Sequence, residues 1–389
     1  MKWEYKTLEQ MGEISRGKSK HRPRNDSRLF GGEYPFVQTA DVKAANFYLT
    51  EYTQTYNEVG LAQSKLWPKG TLCITIAANI ADTAILGIPA CFPDSIMGFN
   101  AFPNVANTTF VKYCFDILQR DCKQISQGTA QDNLSWDKLS TIQFPCPPLP
   151  IQNKIASILS KYDDLIENYQ QQIKLLEESA QRLYKEWFVD LHFPNYENTK
   201  IVDGIPEGWE KKKLIDIVDV QYGYAFDGSL FNDKKQGMPI LRIRNIPNGY
   251  SEDYTTEEVS DNYVINDGEI VVGMDGEFHI NIWSGGSAYL VQRACCFRPK
   301  QEIMRGFILE SIYGPIKFFE KTLVGATVAH LGKKHIDSIE LLVPTEEKLH
   351  VIFSKMLKKR LILLKNIRNL TEARDRLLPK LMSGEIEVE

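Results

Sequence analysis

Cysteine is scarce and irregular in this chain: seven residues in 389, at Cys73, Cys91, Cys114, Cys122, Cys146, Cys295 and Cys296. An odd, scattered set without a C-x-x-C pair excludes a disulfide framework and a cysteine-based zinc site, and fits reduced thiols. Long apolar runs are missing too. Leu361-Ile362-Leu363-Leu364 is typical of the longest, far short of the ~20 residues a membrane span needs. The opening MKWEYKTLEQ has no apolar stretch, so no signal peptide is expected and the cytoplasm is the expected location. Excess positive charge is also lacking. Lys and Arg total 46 against 50 Asp and Glu, a formal net charge of −4. Nucleic acid cannot be held by bulk charge here, only by local basic patches.

Catalytic motifs are equally thin. There is no G-x-x-x-x-G-K-[ST] loop, no H-E-x-x-H and no G-x-S-x-G elbow, and the six histidines show no ligand spacing. A DNA adenine methyltransferase needs an Asn/Asp-Pro-Pro-aromatic tetrapeptide to receive a flipped base. Cys146-Pro147-Pro148-Leu149 comes nearest but lacks both the amide or carboxylate and the aromatic ring. Pro93-Asp94 with Asp121-Cys122-Lys123 could hold Mg²⁺ for a nuclease. That pattern is short, its spacing is free, and it has no second-copy equivalent. Catalysis by this chain alone is not expected.

What the sequence does contain is itself, twice. Slid by roughly 200 residues, Trp3, Leu8 and Gly17 meet Trp209, Leu214 and Gly223. Pro35-Phe36-Val37 meets Pro239-Ile240-Leu241, and Gly70-Thr71-Leu72 meets Gly268-Glu269-Ile270. Gly128, Leu134, Leu139, Ile142 and Pro147 meet Gly325, Leu331, Ile336, Ile339 and Pro344. Matches that keep their order across the chain and include Trp, Gly and Pro indicate a duplicated module.

Each copy begins with short β-type runs. In the first these are Pro35–Gln38, Thr71–Ile76 and Phe110–Cys114; in the second, Ile240–Ile243, Glu269–Val272 and Ser287–Val291. Helical stretches such as 303–321 interrupt them, so each module reads as α+β with a twisted mixed sheet.

Each copy ends in a long amphipathic helix. In the first, apolar residues step by three or four through Ile155, Ile158, Tyr162, Leu165, Tyr169, Ile173, Leu176, Ala180, Leu183 and Trp187. The second repeats this through Leu349, Ile352, Met356, Leu363, Ile367, Leu370, Ala373, Leu377 and Leu381, with Pro379 and Gly384 as its stop. At 1.5 Å per residue the first would run on the order of 50 Å, too long for one module to cover. The two stripes are therefore expected to pack against each other, antiparallel. Trp187 and Phe188 read as core where that helix meets the second module.

Candidate contact residues cluster in four places. Arg16, Lys18, Lys20, His21, Arg22, Arg24 and Arg28 crowd a segment almost without apolar residues, a natural phosphate-contacting arm. Leu241-Arg242-Ile243-Arg244-Asn245 reads as a strand with Arg242 and Arg244 on one face; Arg and Asn are side chains that read guanine and adenine edges. Gln38 stands at the corresponding place in copy one. Two aligned loops follow Gly128 and Gly325, offering Thr129 and Gln131 in one, and Thr327, His330, Lys333 and Lys334 in the other.

Tandem α+β modules, each followed by a Pro-rich lead-in and a long helix, resemble the specificity (S) subunit of bacterial type I restriction–modification systems. The resemblance is carried by Trp3…Leu8…Gly17 and Gly204-Ile205-Pro206-Glu207-Gly208-Trp209, by Pro147–Ala156, and by the closing Leu377–Ile386. It covers the whole chain. Gln152-Asn153-Lys154 departs from it, standing where an acidic residue plus Gln is more usual.

The resemblance implies target-recognition domains at 1–147 and 193–344, with spacer helices at 148–192 and 345–389. It implies double-stranded DNA as ligand, each domain reading half of an asymmetric bipartite site. It also implies methylation subunits, two expected, docked on the helices, and restriction/motor subunits beyond them. S-adenosylmethionine, ATP and Mg²⁺ would sit in those partners, with no cofactor or metal in this chain and no membrane partner. The competing classes are a solitary DNA methyltransferase or nuclease with a divergent site, and a coiled-coil adaptor that never touches DNA.

Overall fold

A computed structural model describes residues 3–76, 81–125, 136–323 and 329–388. The chain divides into two compact units, Met1–Asn168 with Arg368–Glu389, and Tyr169–Ile367.

In the first unit a five-stranded mixed sheet runs in the order Gly12–Arg16, Ile96–Ala101, Leu72–Thr75, Thr83–Leu86, Tyr48–Leu49. Its neighbours are antiparallel except the last pair, which is parallel. Leu72 and Ile74 are fully buried under the helix residues Phe110, Val111 and Phe115. That helix, Thr108–Ile125, replaces the strand expected at Phe110–Cys114. Phe110, Val111, Lys112, Tyr113, Cys114 and Phe115 are all buried, and so short and mostly apolar a run cannot be told from a buried strand by periodicity.

The second unit repeats the plan. One antiparallel sheet runs Val218–Tyr222, Ala294–Pro299, Ile270–Gly273, Ile280–Ile282. A second sheet contains the parallel pair Met238–Leu241 and Ala288–Leu290. The duplicated glycines have one physical cause. A Cβ on Gly17 would lie 2.3 Å from the Phe92 carbonyl oxygen, and one on Gly223 would lie 2.3 Å from the Val291 carbonyl. The chain must pass flat against its neighbour at both places.

The long helices span Leu149–Tyr184, continued by a π turn Lys185–Val189, and Glu347–Met382. In the first unit Ile155, Ala156 and Leu159 share a core with Leu378, Leu381 and Met382; there Arg374 donates to Asp163 at 2.5 Å. In the second unit Ala180 and Phe188 share a core with Leu349, Phe353 and Leu357; there Arg360 pairs with Glu177 at 2.6 Å. From one pair to the other the first helix advances fourteen residues and the second retreats fourteen. The helices are antiparallel, and fourteen residues is two heptads.

The buried seam coincides with the expected stripe at Ile155, Ile173 and Ala180 and departs from it by one residue between Ile155 and Ile173. Ile155, Ile173 and Leu363 are buried, and Tyr162, Tyr169, Leu176, Leu183, Met356, Ile367, Leu370 and Leu377 are half-buried. Leu165 and Ile352, however, are 38% and 37% exposed. The buried line on the first helix is Gln152, Ala156, Leu159, Asp163, Ile166, Ile173, Ala180, with half-buried Glu177 on the same line. Tracing apolar residues alone misses part of it, because Asp163 and Glu177 occupy seam positions opposite Arg374 and Arg360, while buried Gln152 donates to the Val105 and Pro147 carbonyls of its own module. Trp187 and Phe188 do join the second unit's core, Phe188 ringed by Trp209, Phe307 and Phe353.

Candidate nucleic-acid interface

In the first unit, the strand ending at Arg16 lies beside the start of Ile96–Ala101, with Arg16 opposite Met97 and Thr75 opposite Ile96. Phe36 bridges to Cys91 at this same end. The loop after Arg16 is not a free arm. The Ser64 hydroxyl donates to the Lys18 carbonyl at 2.7 Å, the His21 amide donates to Gln63 at 3.0 Å, and Ser19 is buried. Arg24 clasps Asp94 with bonds of 2.6 and 2.9 Å. Arg22 donates to the carbonyls of Ser19 and His21. Arg28 chelates Asp26, and that hydrogen bond, with help from His21, holds the Asp26 carboxyl well below the usual carboxylate range.

These arginines are therefore partly neutralised by their own loop. Arg16, Lys18 and Lys20 are exposed and, among the described residues, carry no ion pair. They form the uncompensated positive edge. Gln38 caps the short helix Thr39–Ala44 instead of extending a strand, and its amide donates to Gln54. Asp94, once a candidate metal ligand, is occupied by guanidinium groups. No group of three His, Cys, Asp or Glu among the described residues is placed to hold a metal.

In the second unit the strand Met238–Leu241 stops before Arg242. Ile243–Asn245 is a 3₁₀ turn, because Asn245 Oδ1 accepts the Arg242 amide at 2.9 Å in place of a ladder partner. Arg242 lies over the Phe231 ring at 5.4 Å. Arg244 and Asn245 both donate to Asp253. Burial alone would raise that carboxyl, yet these donors outweigh it and leave the pKa lowered. Asn245 thus has a structural job, while Arg244 stays 62% exposed.

The turn packs on the end of the sheet. A Cβ on Gly273 would meet Ile243 at 3.3 Å, and Gly273 pairs with Ala294. Two residues on from Gly273, Asp275 accepts from Arg293 at 2.6 Å and pairs with His330 at 2.5 Å. Register therefore gathers Arg242, Arg244, Arg293 and His330 at one sheet end, with exposed Lys333 and Lys334 next along the chain. Arg293 was missed in the sequence. Only its tie to His330 through Asp275, across 55 residues, marks it. Thr129, Gln131 and Thr327 lie outside the described residues.

Both modules thus present basic and amide side chains at the same end of the same sheet, the geometry of a duplicated binding protein. The family profile described as "Type I restriction modification DNA specificity domain" matches residues 1–178 and again 206–372. The MjaIX type I specificity subunit of Methanocaldococcus jannaschii is 27% identical, the match spanning all of this chain and 94% of that one. The MjaVIII specificity subunit of the same organism is 26% identical over 73% of this chain and 71% of its own. A crystal structure of a type I restriction–modification S subunit from M. genitalium superposes with a TM-score of 0.59 at 15% identity, covering 98% of this chain and 96% of that one. That likeness shows the fold. The chain belongs to the type I restriction–modification DNA specificity family, carries its domain twice, and is a DNA-recognition subunit of that class. The alternative of a solitary methyltransferase or nuclease gains no support from these likenesses.

Proposed function

We propose that each module reads one half of an asymmetric, bipartite double-stranded DNA site, and that this chain performs no chemistry itself. One observation carries the reading: the two modules offer different side chains on the same skeleton. The sheet end that bears Arg16, Lys18 and Gln38 in one bears Arg242, Arg244, Arg293 and His330 in the other. Phosphate contacts from Arg16 and Lys18 position such a surface, while the Gln38 amide in one module and the Arg242 and Arg244 guanidinium groups in the other discriminate base edges.

The long helices set the separation of the half-sites and dock methylation subunits, two per chain. Apolar side chains left exposed on them, Leu165, Leu175, Ile352 and Ile362, supply the docking area. Restriction/motor subunits complete the assembly. S-adenosylmethionine, ATP and Mg²⁺ belong to those partners. The working compartment is the cytoplasm; among the described residues no helix is long and apolar enough to cross a membrane.

The test is exchange of residues 1–147 for the same module of a relative, in complex with methylation subunits, followed by sequencing of methylated DNA. One half-site changes and the other stays. Change in both halves, or in neither, refutes modular reading.

A further inference from the structure

The two ion pairs of the helix seam, each with one buried or nearly buried member, Asp163 in the first and Arg360 in the second, are not copies of each other. In the first unit Asp163 on the first long helix holds Arg374 on the second, and it also accepts the Tyr113 hydroxyl at 2.5 Å from the module helix Thr108–Ile125. In the second unit Glu177 on the first helix holds Arg360 on the second. There the module helix Arg305–Ser311 supplies Glu310, which feels the Arg360 charge and lines the same small cavity as Glu177 and Arg360.

The module helices begin 197 residues apart (305 minus 108). That single shift takes Tyr113 to Glu310, Asp163 to Arg360 and Glu177 to Arg374. At equivalent positions of the repeat the seam charge is reversed, and the third member follows suit. A hydroxyl donor faces the aspartate, and a carboxylate faces the arginine. The result places both seam acids on the first helix and both seam bases on the second.

We propose that these six residues form a charge key that directs the first long helix to the second and rejects a second copy of either. Repeat symmetry fixes what self-pairing would bring together. Two first helices, antiparallel in the same register, set Asp163 against Glu177 of the other copy, twice over. Two second helices set Arg360 against Arg374. Each layer sets like charges together at a half-buried seam without a partner, which is costlier than a satisfied pair. Polar seam residues that choose a partner in this way are an established use of buried charge in paired helices.

The test uses full-length chain throughout. Glu177→Arg, which sets two arginines face to face, lowers the melting temperature of the second unit by on the order of 10 °C. The triple variant Glu177→Arg/Arg360→Asp/Glu310→Tyr gives that unit the first unit's key and recovers most of the loss. The double variant Glu177→Arg/Arg360→Asp, which leaves Glu310 facing a new acid, recovers clearly less.

The triple variant also removes the like-charge layers from self-pairing. Two differently tagged copies are unfolded, refolded together and captured through one tag. Wild type carries over less than about one-tenth as much of its sister chain as the triple variant does. Equal carry-over by the two, a triple variant no more stable than Glu177→Arg, or a double variant equal to the triple would overturn the key.

Discussion

Glu310 offers the sharpest pH test of the second unit. Burial pushes its carboxyl from an ordinary value near 4.5 up to about 7; Arg360 opposes the rise and Glu177 adds to it. The folded protein therefore holds a proton here over a range where the unfolded chain has released it. Stability associated with Glu310 is fully present below pH 4.5 and is lost as pH rises through about 7. A rise from 4.5 to about 7 corresponds to roughly 3 kcal/mol.

Glu310→Gln keeps the shape and cannot titrate. Urea unfolding of wild type and variant is measured from pH 4.5 to 8, with hydrogen exchange on the helix Arg305–Ser311 as local readout. The variant gains on the wild type by about 3 kcal/mol across that interval, whatever its offset at any single pH. Two stability curves that stay parallel to within about 0.5 kcal/mol would refute the account, since the carboxyl would then ionise alike in both states.

Two further outcomes follow from the proposed DNA role. Neutralising Arg16, Lys18 and Lys20 together to Gln weakens DNA binding alike on all sequences, and reduces the slope of log affinity against log salt by about 3, near one unit per lost phosphate contact. An unchanged slope places those side chains away from DNA. Deleting one heptad from each long helix, between the two seam ion pairs, removes about 10 Å of rise and shortens the accepted spacer by about three base pairs with both half-sites intact. Methylated-motif sequencing showing the original spacer would remove the helices from that role.

Much was legible in the sequence because its signals are local or repeated. Trp3/Trp209 and Gly17/Gly223 announced the duplication, and three-four spacing announced both long helices. Where several faces of a segment are buried at once, the local signal fails. Phe110–Cys114 reads as a strand because a short, mostly apolar run carries no period of its own, while the helix that contains it extends from Thr108 to Ile125. Between Ile155 and Ile173 the apolar stripe runs one residue aside of the seam, because Asp163 looks like a surface charge until Arg374, 211 residues away, is brought across.

The candidate interface divides in the same way. Sequence alone determined that the chain is two similar modules with unlike polar loops, each leading into a long helix, since repetition and periodicity are written in neighbouring residues. Tertiary structure decided which charges remain free. Asp94, 70 residues away, occupies Arg24, and Asp275 draws Arg293 to His330. A side chain's availability depends on what folding sets beside it, and contacts closed across tens or hundreds of residues leave no periodic trace along the chain.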